Sequence, residues 1–257
     1  MHYTTVDDFG YDDAVNKLIV EGIAGGVVSR ASVMVNLPGS EWALEYIKRH
    51  QSSSTQFGLH LNLTEGRPVL DASLIPSLVN GQGMFLGWGG FIKRSLLGQL
   101  NYAQVTAEVQ AQLDQAPWAT FLNSHHHIHL WPPLARMISD IAHKQGIDDI
   151  RRPQQFFWPA VWQRYGYKAL IIQLLGIYQS RIHRQCSTDY FIDLDWAGVS
   201  DQSRKRLKAM VPKEAELSCH PHAFEIEHSE INTKDSTLAW LIKHLESKHR
   251  TKKQSLT

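Results

Sequence analysis

Residues 3–26 read YTTVDDFGYDDAVNKLIVEGIAGG, and the order of residue types in that stretch decides the fold. Tyr3 to Val6 is a short apolar start suited to a strand. Asp7-Asp8-Phe9-Gly10 supplies an acidic turn, and Ala14, Val15, Leu18, Ile19 and Ile23 then recur at helical spacing until Gly25-Gly26 ends the pattern. The unit is strand, acidic turn, helix.

The same unit recurs downstream. Ala31-Ser32-Val33-Met34-Val35 reads as a strand, Pro38-Gly39-Ser40 as a turn with Ser40 as helix N-cap, and Glu41 to Arg49 as a helix turning Trp42, Tyr46 and Ile47 inward. Phe57 to Leu61 is a third strand. Thr64 to Gly90 breaks the rhythm with glycines and prolines, and a loop of that length inside a compact domain is usually a rim or lid over a site. Helices are expected at Phe91 to Leu97, Ala103 to Gln115 and Leu134 to Gln145, and strands at Thr120 to Asn123, Ile147 to Arg152, Asp189 to Leu194 and Ala215 to Cys219. Leu238, Leu241, Ile242 and Leu245 mark a closing helix. Strands alternating with helices imply parallel pairing with right-handed crossovers, as in an α/β barrel or a doubly wound sheet.

With 257 residues and 43% apolar composition the chain can fill one core, so residues 1–250 are expected to form one domain, followed by a basic tail at 251–257. Net charge is +1, from 26 basic and 25 acidic side chains, which argues against a nucleic-acid partner. Arg204-Lys205-Arg206 and the basic residues between Lys248 and Lys253 read as a solvated helix face and a frayed end. Cys186 and Cys219 have no CxxC spacing and the N-terminus lacks the basic-then-apolar build of a signal peptide, so a cytoplasmic protein is expected. Ala169 to Tyr178 is well short of the ~20 residues of a membrane span. A buried helix is expected there, although Arg164, Lys168, Arg181 and Arg184 around it would also permit contact with a membrane surface.

Chemistry concentrates at the predicted strand ends. Four histidines fall within Asn123-Ser124-His125-His126-His127-Ile128-His129, His60 is embedded in Phe57-Gly58-Leu59-His60-Leu61-Asn62-Leu63-Thr64, and Asp7-Asp8 closes the first strand. Each piece has an ordinary reading as well: histidine runs occur in solvated loops, and paired aspartates cap helices. Together they place one carboxylate and two imidazoles, Asp8, His60 and His125, at strand ends that converge in such folds, with positions open for water and substrate. On an extended backbone Asp7 and Asp8 point in different directions, so one can hold a cation while the other takes a proton from water. Oxygen plus two imidazoles accommodates one divalent cation, Mg or Zn foremost, with Mn, Co and Ni compatible. By alternation His127 shares the face of His125 and would line the pocket, whereas His126 and His129 would be packed or hydrogen-bonded behind it. His220, in Cys219-His220-Pro221-His222, lies at another strand end and has the pKa of a general acid or of an ordinary rim histidine. Arg151, Arg152 and Trp88 are further candidates for substrate contact, and Trp158 and Trp162, like Trp88, suit stacking on sugar faces or simple packing.

Asp7-Asp8-Phe9-Gly10, Gly58-Leu59-His60-Leu61-Asn62-Leu63-Thr64, Ser124-His125-His126-His127-Ile128-His129 with Pro132, and Cys219-His220-Pro221 together resemble the YdjC family of carbohydrate deacetylases, in order and approximate spacing from residue 4 to residue 221. The resemblance implies an irregular (β/α) barrel of about seven parallel strands, TIM-barrel-like. It also implies a divalent cation and hydrolysis of an N-acetyl group from an acetamido sugar. In that reading Asp8, His60 and His125 hold the metal, Asp7 is the base that activates water, and His220 assists the leaving amine. Members often carry Asp before the Ser-His-His-His run, where this chain has Asn123, which leaves histidine orientation to an amide. Two other classes stay open: a metal-dependent hydrolase of an ester or phosphoester on the same scaffold, and a non-catalytic carbohydrate-binding protein. A homodimer is expected only from the general prevalence of twofold assemblies.

Overall fold

The first strand runs further than its turn signal implied. In a computed structural model that describes residues 3–50, 54–152, 170–178, 180–182, 188, 190–195, 215–221, 238–239 and 242, β1 (Tyr3–Phe9) carries both aspartates within it. Its pairing with β2 (Arg30–Val33) shifts register between Val6 and Phe9, and Asp8 there has φ 65°. A bulge of this kind re-aims side chains next to a site, and Asp7 and Asp8 are 1% and 0% exposed. The helix α1 (Asp13–Ala24) follows, capped by Asp12, whose side chain accepts from the Val15 N–H at 2.8 Å.

The sheet continues through β3 (Gln56–Leu61), β4 (Phe121–Ser124), β5 (Asp149–Ile150), β6 (Tyr190–Asp193) and β7 (Ala215–Cys219). All seven strands are parallel, in the order β5-β4-β3-β2-β1-β7-β6. The expected barrel of about seven strands is therefore present as a curled half-barrel, with β5 and β6 at its edges. Helices α2 (Ser40–Arg49), α3 (Gly87–Leu96), α4 (Tyr102–Asp114) and α5 (Pro132–Lys144) fill the crossovers, α5 opening on the proline pair as prolines favour. Ser40 is the first residue of α2 rather than its cap: its hydroxyl donates to the Met34 carbonyl at 2.9 Å and accepts from the Leu37 N–H at 2.9 Å. Ala43 and Ile47 are buried in the core with Tyr46 packed against it, and Trp42, 39% exposed, meets the Phe9 ring edge-on.

Two apolar clusters hold these layers together. One joins Leu59, Leu61 and Leu122 to α4 and α5 through Val105, Val109, Leu134 and Ile138; the other joins Val6, Phe9 and Val33 to α1, α2 and β7. A fully buried leucine in such a cluster contributes about 1.5–3 kcal/mol by area. Gly58 marks how tightly β3 meets its neighbour, because a Cβ there would fall 2.5 Å from the Phe121 ring.

The long loop after β3 is built structure. Leu63, Ile75, Leu78, Val79 and Phe85 are buried in the first cluster, and the Glu108 carboxylate accepts the Val69 and Leu70 N–H groups at 2.9 and 3.0 Å. Gln112 braces its start through both backbone groups of Asn62.

One expectation reverses. The apolar stretch read as a buried helix is helical over 170–178 but leaves Leu170, Ile171, Leu174, Ile177 and Tyr178 exposed. No described helix is long and apolar enough to cross a membrane. Trp158, Trp162, Arg164, Lys168, Arg184, Cys186, His222, Arg204-Lys205-Arg206 and the 251–257 tail lie outside the described residues.

A candidate metal and acid–base site

Three strand ends meet at one point. Asp8 comes from the bulge of β1, His60 from β3, and His125 directly after β4, and their ligand atoms lie within 4.8 Å of one another. Asp8 Oδ1 is 3.2 Å from His60 Nε2 and 3.2 Å from His125 Nδ1. The remaining ring nitrogens are occupied: His60 Nδ1 donates to Asn123 Oδ1 at 2.7 Å, and His125 Nε2 donates to Glu65 Oε2 at 2.9 Å. With those protons placed, a lone pair on His60 Nε2 and one on His125 Nδ1 face the same carboxylate oxygen, which is how outer partners orient imidazoles toward a cation. His60 Nε2 is buried and has no hydrogen-bond partner. A buried polar atom left so is costly unless something else satisfies it, and one oxygen with two imidazole nitrogens is a donor set that fits a divalent cation. Burial alone would lower the His125 pKa, but with no cation its contacts with Asp8 and Glu65 raise it to about 9, so a cation at this site competes with a proton for Nδ1.

Asp7 sits beside this set in a different environment. Arg151 Nη1 donates to its Oδ2 at 2.6 Å and Nη2 to its Oδ1 at 2.9 Å. Ser32 Oγ and Asn123 Nδ2 donate to Oδ1 at 2.6 and 2.9 Å, and Ser218 Oγ donates to Oδ2 at 3.2 Å. Burial pushes the Asp7 carboxyl up, but the Arg151 guanidinium and neighbouring histidines outweigh it and hold the group well below the usual carboxylate range. Arg151 also donates to Glu216 Oε1 at 2.7 Å.

His220, just past β7, completes the group. Its Nδ1 and its backbone N–H both donate to Asp195 Oδ2, at 2.8 and 2.9 Å, and its Nε2 lies 3.8 Å from Asp7 Oδ2. Burial would lower its pKa, but Asp195 dominates and raises it to about 10. Asp193, Asp195 and His220 also lie close enough together to count as a metal-compatible group. The arrangement thus offers a cation-binding face, an ionised carboxylate and a charged imidazole within one buried cluster, the parts that hydrolysis of a carbonyl compound uses.

The histidine run does not behave as an extended segment. His126 and His127 have φ 52° and 51°, so the chain turns left-handed directly after His125 and alternation no longer applies. His126 bonds through Nδ1 with Thr64 Oγ1 at 3.0 Å, and His129 lies between Ser124 Oγ and the Arg151 carbonyl, 2.9 Å from the latter. His127, expected to share the face of His125, is packed edge-on against Phe191 with its Nδ1 buried and without a hydrogen-bond partner, and burial together with the charges of His129 and Arg151 lowers its pKa well below the usual histidine value. Arg151, expected at the substrate, has its guanidinium committed to Asp7 and Glu216 at 3% exposure. Arg152 is half-buried with an unpartnered Nε, and Trp88 is 52% exposed in the first turn of α3. Sequence reasoning missed Glu65 and Asp195. Each lay one residue beyond a segment it had singled out, Glu65 after Thr64 and Asp195 after Leu194, where the strand-end rule could have reached them.

Comparison with known proteins is consistent with this geometry. The family model for YdjC-like proteins matches residues 4–252. A carbohydrate deacetylase of Homo sapiens is 36% identical over 157 residues, covering 58% of this chain and 47% of that protein. A carbohydrate deacetylase of Geobacillus stearothermophilus is 33% identical over 138 residues, covering 54% of each. The chain therefore spans about half the length of the curated relatives it matches. A crystal structure from Enterococcus faecalis V583, of a protein proposed to cleave cellobiose phosphate, shares the fold with TM-score 0.65 at 19% identity, over 95% of this chain and 94% of that one.

Proposed function

The chain belongs to the YdjC-like family, and from that premise we propose that it is a metal-dependent hydrolase that removes the N-acetyl group of an acetamido sugar. The observation that carries the reading is the buried, unpartnered His60 Nε2 set 3.2 Å from Asp8 Oδ1, with Asp7 and His220 beside it. Asp8, His60 and His125 would hold the cation. Asp7 accepts the proton of the attacking water; its pairing with Arg151 keeps it ionised and also makes it a weak base. The divalent cation, when bound, answers that weakness by supplying Lewis acidity at the acetamide carbonyl and lowering the pKa of water. His220, charged at neutral pH and held by Asp195, protonates the departing nitrogen as the C–N bond breaks, so acetate and an amino sugar leave.

Acetate release from N-acetylglucosamine oligomers, nucleotide sugars and glycolipids, assayed with several divalent cations beside ester and phosphoester panels, tests the reaction. His60→Ala and His125→Ala should lose the metal in elemental analysis, and Asp7→Asn should keep metal yet lose activity. Full activity of Asp7→Asn would remove the assigned base. Turnover of phosphoesters without acetate release would replace the reaction class.

A further inference from the structure

Glu65 is a carboxylate at the edge of the site, and its contacts give it a task of its own. Its Oε2 accepts from His125 Nε2 at 2.9 Å and its Oε1 accepts from the Tyr11 hydroxyl at 2.6 Å. An imidazole that gives its Nε2 proton to Glu65 presents Nδ1 as a lone pair toward Asp8 Oδ1, 3.2 Å away. If that proton moved to Nδ1, the ring would offer hydrogen instead of a lone pair on the side where a cation needs a donor. The choice of tautomer therefore rests on a residue supplied by the loop after β3.

The backbone of Glu65 is fixed as firmly as its side chain. Its N–H donates to Asn62 Oδ1 at 3.0 Å, and its carbonyl accepts from Asn62 Nδ2 at 2.8 Å and from Asn36 Nδ2 at 3.3 Å. Gly66 follows at φ +73°, where a Cβ would be strained and would lie 2.3 Å from Leu37 Cδ2, so the turn that aims Glu65 favours glycine. The side chain is 38% exposed at the site's edge, unlike Asp7 and Asp8.

We propose that Glu65 is a positioning residue that couples the loop after β3 to the metal, by holding His125 in the tautomer whose Nδ1 faces Asp8. The assignment rests on the metal reading above and adds a direction to it: loop and cation stabilise each other, because any change that frees Glu65 costs cation affinity, and by linkage cation binding tightens the loop.

The test uses Co2+ as the probe, with affinity by calorimetry, the visible absorption of the bound ion, and amide exchange of residues 62–67 with and without the ion. Glu65→Ala is expected to bind Co2+ about 10- to 100-fold more weakly than the parent and to lose the ion-dependent protection of the loop. Glu65→Gln, whose side-chain oxygen can still accept from His125 and whose amide can face Tyr11, should restore most of both, and Tyr11→Phe should fall between parent and Glu65→Ala. Equal Co2+ affinity and spectrum in parent and Glu65→Ala would overturn the coupling while leaving the metal reading intact. Failure of the parent itself to bind Co2+, with His60→Ala indistinguishable from it, would overturn the metal reading first.

Discussion

Arg151 grips Asp7 with both arms of its guanidinium, at 2.6 and 2.9 Å, in a place where both side chains are almost wholly buried. The same guanidinium reaches Glu216, so one cation answers two buried carboxylates. Arg151→Ala would strand both charges, a change that costs about 3–5 kcal/mol. Arg151→Lys keeps a charge but not the fork; it should fold, with kcat reduced and KM near the parent value. A rise in KM at constant kcat, measured on the substrate found by the acetate screen, would return Arg151 to the substrate-contact role that its sequence position suggested.

Asn123 links Asp7 to His60, its Nδ2 donating to the carboxylate at 2.9 Å while its Oδ1 accepts the His60 proton at 2.7 Å. Asn123→Asp sets a second carboxylate against Asp7 with no hydrogen between them. Like charges at that separation raise the pKa of one of the pair. The sign follows: a carboxyl whose folded pKa is raised is tolerated while protonated at low pH, and the penalty grows as pH rises through that pKa. Urea midpoints of Asn123→Asp should fall further below the parent at about pH 8 than at about pH 5. A deficit independent of pH would show that packing, and not charge, is what the amide provides.

Gly58 is a stability element with no part in the chemistry. A Cβ at Gly58 would sit 2.5–2.6 Å from three carbons of the Phe121 ring, which itself stacks under the Arg30 guanidinium at 4.7 Å. Gly58→Ala should cost about 1–3 kcal/mol as an overpacked core does. Trimming the ring in Gly58→Ala/Phe121→Leu should recover part of it in a double-mutant cycle of unfolding free energies. Purely additive losses would mean that the strand shifts instead of clashing.

How much of this was legible beforehand depended on whether the physics was local. The strands and crossovers follow from period and punctuation that lie within each segment, which is why β7 falls on Ala215–Cys219 as expected. Asp8, His60 and His125 were found because a parallel sheet gathers strand ends, a rule that needs no coordinates. The period-two argument for His127 assumes extended backbone, and the left-handed turn at His126 and His127 is a tertiary choice. The pairing of Arg151 was out of reach because nothing in the sequence near it announces that Asp7 and Glu216, 144 and 65 residues away, will claim it. Glu65, one residue past a segment that the strand-end rule did reach, carries no local mark of its role: its partner Tyr11 is 54 residues away, and a lone glutamate in a glycine-rich loop looks solvated. The helix at 170–178 shows the limit of composition, since an apolar run carries no statement about what covers it.

Asp195 gives the site a pH signature. It accepts from His220 twice, at Nδ1 and at the backbone N–H, and that contact outweighs burial to raise the histidine from 6.5 to about 10. A histidine that must give a proton to a departing amine works only while protonated, so the alkaline limb of the activity profile should follow this group near pH 10. The linkage has the same sign: a raised folded pKa contributes stability that is complete below about 6.5 and is lost as pH rises through about 10. Asp195→Asn keeps an acceptor oxygen for the ring but removes the largest contribution that raises the histidine, leaving burial opposed only by the more distant Asp8 and Asp193. The alkaline limb of kcat/KM should then move down toward neutrality, and the alkaline loss of stability should shrink with it. Fluorescence-detected urea midpoints and acetate release, each measured from about pH 6 to about pH 10.5 on parent and variant, give both curves. An alkaline limb that stays in place in Asp195→Asn would take the proton donation away from His220.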